Sequence, residues 1–239
     1  MLVYQIEMAR ALITGGNKGI GLEITRVLLE NGYDIVVLAR DFSKFTLTGK
    51  NIQIVKFDLR NISDIPNLVK KIGHVDLLIN NAGMLNSVAY DKYPESKKHD
   101  LLAINIEAPV ALIREFSVSM LKQGNGKIIN IASVAGEIGH PDIWYGVSKA
   151  GLINITKSFA KIFGPQGLTV NCVAPSAVQD TKMFSMVSEE RLAQLLNATI
   201  NKKFAETKDV AEVVRWLAME APEYMNGICI DVNNGAFLR

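Results

Sequence analysis

Short apolar runs alternate along this chain with longer stretches in which apolar residues recur every third or fourth position. The runs predict strands near 9–14, 34–39, 52–57, 75–80, 127–132, 168–174 and 228–232. The longer stretches predict helices near 19–31, 64–72, 96–122, 143–163, 188–201 and 208–219. Ala11, Leu12 and Ile13 are apolar on successive positions, as strands covered on both faces must be, and so are Ile35, Val36, Val37 and Leu38. This alternation predicts the α/β class: a doubly wound parallel sheet of about seven strands, with right-handed crossovers and helices on both faces. Gly32 stops the first helix, and the polar segment 41–51 leaves room for a brief helix at most. No repeat, low-complexity tract or Pro/Gly-rich linker divides the sequence. Residues 1–239 therefore read as one domain, with a substrate-loop region at about 176–201.

Composition narrows the setting. Hydrophobic residues make up 49% of the chain, ample for a sheet buried on both sides. The formal net charge of +2 implies neither a nucleic-acid partner nor a membrane surface. The pairs Lys70-Lys71, Lys97-Lys98 and Lys202-Lys203 read as solvated helix faces. Cys172 and Cys229 lie in apolar runs and read as packed, reduced thiols. Neither these thiols nor His74, His99 and His140 have metal-ligand spacing, so no metal is expected. Residues 1–8 hold no long apolar leader, and no later run reaches transmembrane length. A soluble, cytoplasmic protein is the expectation.

Two motifs carry chemistry. After the first strand comes Thr14-Gly-Gly-Asn-Lys-Gly-Ile-Gly21, followed by a helical pattern through Ile24, Val27 and Leu28. Glycines there let backbone approach a pyrophosphate, which then rests on the helix N-terminus. Their Gly-x-x-x-Gly-x-Gly spacing differs from the Gly-x-Gly-x-x-Gly dinucleotide fingerprint. Further on, Tyr145 and Lys149 are four apart, hence on one helical face, and Ser133 lies twelve residues before the tyrosine. A phenol of pKa about 10 is a poor acid–base group at neutral pH, and a nearby cation is expected to lower it.

With Asn80-Asn-Ala-Gly83 and Asn105, these motifs make the chain resemble the short-chain dehydrogenase/reductase family in its single-domain form, from about Met8 to about Gly235. It looks most like the 3-oxoacyl-carrier-protein reductases and general carbonyl or sugar reductases. The resemblance implies a Rossmann fold and a catalytic set of Asn105, Ser133, Tyr145 and Lys149. Tyr145 would exchange the proton, Ser133 steady the substrate oxygen, and Lys149 hold the nicotinamide ribose. Asn105 would anchor a water feeding that lysine. Gly15, Asn17, Lys18, Gly19, Ile20 and Gly21 would form the cofactor loop. Asp58 would bond the adenine amino group with Leu59 beside the ring. Asn81 would brace the sheet while Ala82 and Gly83 border the adenosine ribose. Pro175, Val178 and Thr181 would lie near nicotinamide, where Ser176 replaces the family's glycine.

The second strand ends in Ala39-Arg40-Asp41. Arg40 and Lys18 can hold a 2′-phosphate, which favours NADP(H) over NAD(H), whereas an inward Asp41 would favour the ribose hydroxyl. Substrate contacts are expected from 84–93, 137–144 and 176–193, with Met183, Phe184 and Met186 lining an apolar pocket and His140 and Trp144 within reach. The leading reading is an NADP(H)-dependent oxidoreductase of carbonyls and secondary alcohols, with 3-oxoacyl-thioester reduction its best-known version. The rivals are a sugar or polyol dehydrogenase using NAD(H) and a non-catalytic dinucleotide-binding regulator. Leu101, Ile104, Ala108, Ala111, Leu112 and Phe116, with Leu152, Ile153, Ile155, Phe159 and Ile162, are more apolar positions than core-facing stripes need. Together with the resemblance they imply a homotetramer built by pairing these helices and the final strand across two-fold axes.

Overall fold

The computed structural model describes residues 8–238; most of the leading stretch in which no apolar leader is expected lies outside them. The apolar runs form β1 Arg10–Thr14, β2 Asp34–Ala39, β3 Ile52–Lys56, β4 Leu77–Asn80, β5 Gly126–Ile131, β6 Leu168–Pro175 and β7 Cys229–Val232. All pair in parallel, in the order β3-β2-β1-β4-β5-β6-β7. The chain winds outward one way from β1 and then the other way from β4. That reversal opens a crevice above the carboxyl ends of the two strands, where open α/β sheets bind ligands.

The helices are α1 Gly19–Glu30, α2 Ile65–Ile72, α3 Glu95–Leu102, α4 Ala108–Gln123, α5 Ala135–Ile138, α6 Ile143–Phe163, α7 Glu189–Ala198 and α8 Thr207–Met219. Successive strand residues feed opposite cores. Ala11 and Ile13 pack with Ile24, Leu28, Val210 and Val214 of α1 and α8. Leu12 packs with Leu68, Phe116 and Phe163 of α2, α4 and α6. At roughly 1.5–3 kcal/mol per buried aliphatic or phenyl side chain, burial on both faces fixes strand order and register.

Four local expectations need correction. The helix anticipated over 96–122 is interrupted by a wide π-helical turn at Ala103–Glu107, centred on Asn105. The short α5 was not anticipated. The helix expected to reach 201 stops at Ala198, so Lys202 and Lys203 sit in a turn, Lys202 in left-handed backbone, and not on a helix face. Leu101, Ile104, Ala108, Ala111, Leu112 and Phe116 are all buried within one chain, so they supply no surface for a second copy. Segment 41–51 forms no helix, and Cys172 and Cys229 lie on neighbouring strands without a disulfide.

Candidate active site

A cleft of about 680 Å³ opens over the carboxyl ends of the strands, with the glycine loop at one end and Tyr145 toward the other. The loop is held tightly. A methyl group at Gly21 would stand 2.2 Å from the Gly15 carbonyl, so only glycine lets α1 begin there. Asn81 fastens the loop from behind: its Nδ2 donates to the carbonyls of Thr14 at 2.9 Å and Gly15 at 3.3 Å. The Thr14 hydroxyl accepts from the amides of Asn81 and Ala82. The first turn of α1 has no side-chain cap and no acidic residue. Its free amides and positive dipole end suit a pyrophosphate, so the residues present fit a dinucleotide.

Gly15, Lys18, Gly19, Ile20, Gly21, Arg40, Asp58, Leu59, Ala82 and Gly83 all border this half of the cleft. Arg40 reaches to 4.0 Å of Asp58. The Asp58 carboxylate is gripped mainly by Arg60, which holds it below the usual carboxylate range. Asp41 does not turn inward: it accepts from the Ser43 amide at 2.9 Å and hydroxyl at 3.0 Å, and these bonds keep it ionised. Asn17 departs from the expected set. It does not border the cleft, and its Nδ2 donates to the Asp41 carbonyl at 2.6 Å.

The catalytic half is carried by α6. Asp142 caps it, accepting from the Tyr145 amide at 3.1 Å through one oxygen. Its other oxygen accepts from the amides of Asn86 at 3.1 Å and Ser87 at 3.0 Å. One buried carboxylate thus ties the 84–93 loop to the helix bearing Tyr145 and Lys149. Ser133 shares the cleft wall with Tyr145; its hydroxyl accepts from the amide of Ala135 on α5 at 3.1 Å and donates to the Pro175 carbonyl at 3.4 Å. Lys149 is 4% exposed; its Nζ lies 5.8 Å from the Tyr145 ring centroid and donates to the Ile131 carbonyl at 2.8 Å. Burial without a carboxylate partner pulls its pKa from 10.5 to about 8.

The expected lowering of the phenol's pKa is not found. Burial pushes Tyr145 above its ordinary value, opposed only by the Ser133 hydroxyl. Asn105 has its amide well used: Oδ1 accepts from the Met84 amide, while Nδ2 donates to the Met84 carbonyl and the Ser148 hydroxyl. A side chain at Gly83 would stand 3.5 Å from Lys149 Nζ and 3.7 Å from Asn105 Oδ1. The two polar atoms therefore border one small space that glycine keeps open.

Pro175, Val178, Thr181, Met183, Phe184 and Met186 line the remaining wall. Ser176 is not in left-handed backbone; that strain falls on Asp180, with φ of 60°. The Thr181 hydroxyl donates to the Val178 carbonyl at 2.9 Å, and its methyl packs over Gly19. Trp144 does not border the cleft, and its ring lies under the Lys98 ammonium. Sequence reasoning passed over Asp142, although an aspartate just before the apolar Ile143-Trp144-Tyr145 is a helix-start signal. It also passed over Arg191, which reaches the cleft from the first turn of α7. Among the described residues no cluster of ligands could hold a metal ion, and no helix is long and apolar enough to cross a membrane.

The family model described as short chain dehydrogenase matches residues 9–192. The 3-oxoacyl-acyl-carrier-protein reductase FabG of Staphylococcus aureus strain Mu50 is 32% identical over 241 residues, covering 95% of this chain and 98% of its own. Among solved structures, ElxO with NADP bound superposes with a TM-score of 0.86 at 28% identity, covering 96% of this chain and 98% of the other. A 4-hydroxyisoleucine dehydrogenase complexed with NADH shares the fold, with a TM-score of 0.89 at 24% identity over 95% of this chain and 98% of the other.

Proposed function

The chain belongs to the short-chain dehydrogenase family, and from that premise we propose that it is an NADP(H)-dependent oxidoreductase of carbonyls and secondary alcohols. The observation that carries this reading is that Ser133, Tyr145 and Lys149 line the same cleft as the glycine loop. When bound, the reduced nicotinamide supplies the hydride. Ser133 and Tyr145 would hold the substrate oxygen, and Tyr145 would give it the phenolic proton. Lys149, cationic at neutral pH, steadies the phenolate that remains, and a proton from solvent restores the phenol. The raised pKa of the phenol keeps it protonated, and so ready for reduction, through the neutral range.

Arg40 and Lys18 beside the loop, with Asp41 turned to Ser43, support NADP(H) over NAD(H). Both cofactors should be assayed against a panel of ketones, acyl thioesters and sugars. Arg40→Ala should weaken NADPH binding by about one to two decades and leave NADH nearly untouched, since a charge-assisted bond is worth roughly 1.5–3 kcal/mol. Equal affinity of the unmodified protein for both cofactors would overturn the assignment. The similarity to FabG supports 3-oxoacyl thioesters within the panel, and sugar turnover with NADH would favour the polyol dehydrogenase reading. Self-association to a homotetramer is part of the proposal and rests on surface residues of α4 and α6 considered below.

A further inference from the structure

The cleft wall beyond Tyr145 is largely apolar, with Met84, Leu85, Met183, Phe184, Met186 and Leu195, while Asn86, Asp180, Thr181 and Lys182 also border the cleft, as do Arg191 and His140. Arg191 points into it from the first turn of α7. Its guanidinium bonds only the neutral Gln194 side chain, at 3.0 Å, and no carboxylate pairs with it among the described residues. His140 borders the same cleft, and its ring packs edge-on to Tyr145 with centroids 5.1 Å apart. The Asp142 amide donates to His140 Nδ1 at 3.0 Å, so the neutral ring carries its proton on Nε2. Burial keeps that ring neutral, and the Arg191 charge, near enough to be felt, acts in the same direction.

Two donors, one of them cationic, therefore border a largely apolar wall beside the reacting phenol, and an unpaired guanidinium there calls for an anion. We propose that Arg191 and His140 Nε2–H seat a carboxylate of the substrate, so that the preferred carbonyl compounds are short oxo acids. Resting on the oxidoreductase reading, this assigns the substrate class of the same site. The spacing selects between two sources of negative charge. His140 packs against the Tyr145 ring, so a carboxylate held at its Nε2–H lies a few bonds from the carbonyl. The phosphate of a thioester carrier lies at the far end of a long pantetheine arm and cannot reach a seat this close to the carbonyl.

The test uses acetoacetate, its ethyl ester and acetoacetyl-CoA with NADPH, on the intact chain and on Arg191→Gln and Arg191→Lys. The unmodified enzyme should favour the acid over the ester. Arg191→Gln should lower the acid-to-ester ratio of kcat/KM by about 10–100-fold, through KM of the acid, and Arg191→Lys should restore part of it. Calorimetric titration of acetoacetate into the enzyme–NADP⁺ complex should show the same loss of affinity. A parallel fall for acid and ester would make Arg191 a mere support of α7 and overturn the proposal. A selective loss with acetoacetyl-CoA would also overturn it, in favour of a carrier phosphate. Reduction of the ester but not the acid by the unmodified enzyme overturns the oxo-acid assignment alone. Failure with these three substrates and with the whole ketone, thioester and sugar panel under both cofactors would take the oxidoreductase reading with it.

Discussion

The ammonium of Lys149 sits behind Tyr145 with one carbonyl, that of Ile131, to receive its proton. Because its folded pKa lies near 8 and its ordinary value at 10.5, the fold disfavours the charged form. The cost is complete below pH about 8 and fades as pH rises toward 10.5, where the unfolded lysine also loses its proton. Lys149→Met should thus remove roughly 3 kcal/mol of strain at neutral pH and forfeit about 1–2 kcal/mol by leaving the carbonyl unpaired. The expected result is a variant that is inactive but more stable by roughly 1–2 kcal/mol at pH 7, with the advantage shrinking as pH passes 8. Urea denaturation of both proteins across that range checks it; a pH-independent difference would contradict it. Residues of this kind were legible in the sequence because type and spacing alone mark them: Tyr145, Lys149 and Ser133 need no knowledge of packing. The direction of the Tyr145 shift was not legible, since it depends on how deeply the fold buries the phenol.

At the scale of elements, α6 is aimed by its first turn. Asp142 supplies the N-cap and also clasps the amides of Asn86 and Ser87, the latter in left-handed backbone. Asp142→Ala should cost about 1–2 kcal/mol for the lost cap and free the 84–93 loop. Hydrogen exchange should then quicken at the amides of residues 86, 87 and 145, and unchanged protection at all three would count against this role. The strands and main helices could be read from the sequence because period-two and period-3.6 patterns are local. The π-helical turn at Asn105 could not, since one residue too many in a turn leaves the apolar pattern nearly intact. Asn105 faces inward there because its amide finds Met84 and Ser148, contacts set by a distant loop and helix. The early end of α7 was hidden for a related reason: Thr199 and Ile200 continue an acceptable helical pattern, yet the Ile200 amide donates to Asn234 near the C-terminus.

For the whole molecule, self-association is argued from the exposed apolar surface of α4 and α6, which keeps Ile162 of the residues the sequence suggested and adds Val118, Ile143 and Val147. Val118 is 53% exposed, Ile143 49%, Val147 51% and Ile162 56%, and the spacing of Ile143 and Val147 puts both on one face of α6. A second copy of this face would cover them and brace the helix that carries Tyr145 and Lys149. Light scattering should give a mass near four times 26.3 kDa, reduced by Ile162→Asp; a single-chain mass would sink the claim. The two halves of the cleft come from opposite sides of the strand-order reversal, so hydride donor and phenol meet only in the intact sheet. The most direct measurement is therefore a single-turnover reaction with NADPH deuterated at the transferred position and a ketone substrate, run on the unmodified protein and on Tyr145→Phe. The account requires deuterium on the former carbonyl carbon, together with a Tyr145→Phe variant that binds NADPH almost as before and transfers at least about a hundredfold more slowly. Transfer at more than about a tenth of the original rate in that variant, or deuterium lost to solvent, would contradict it.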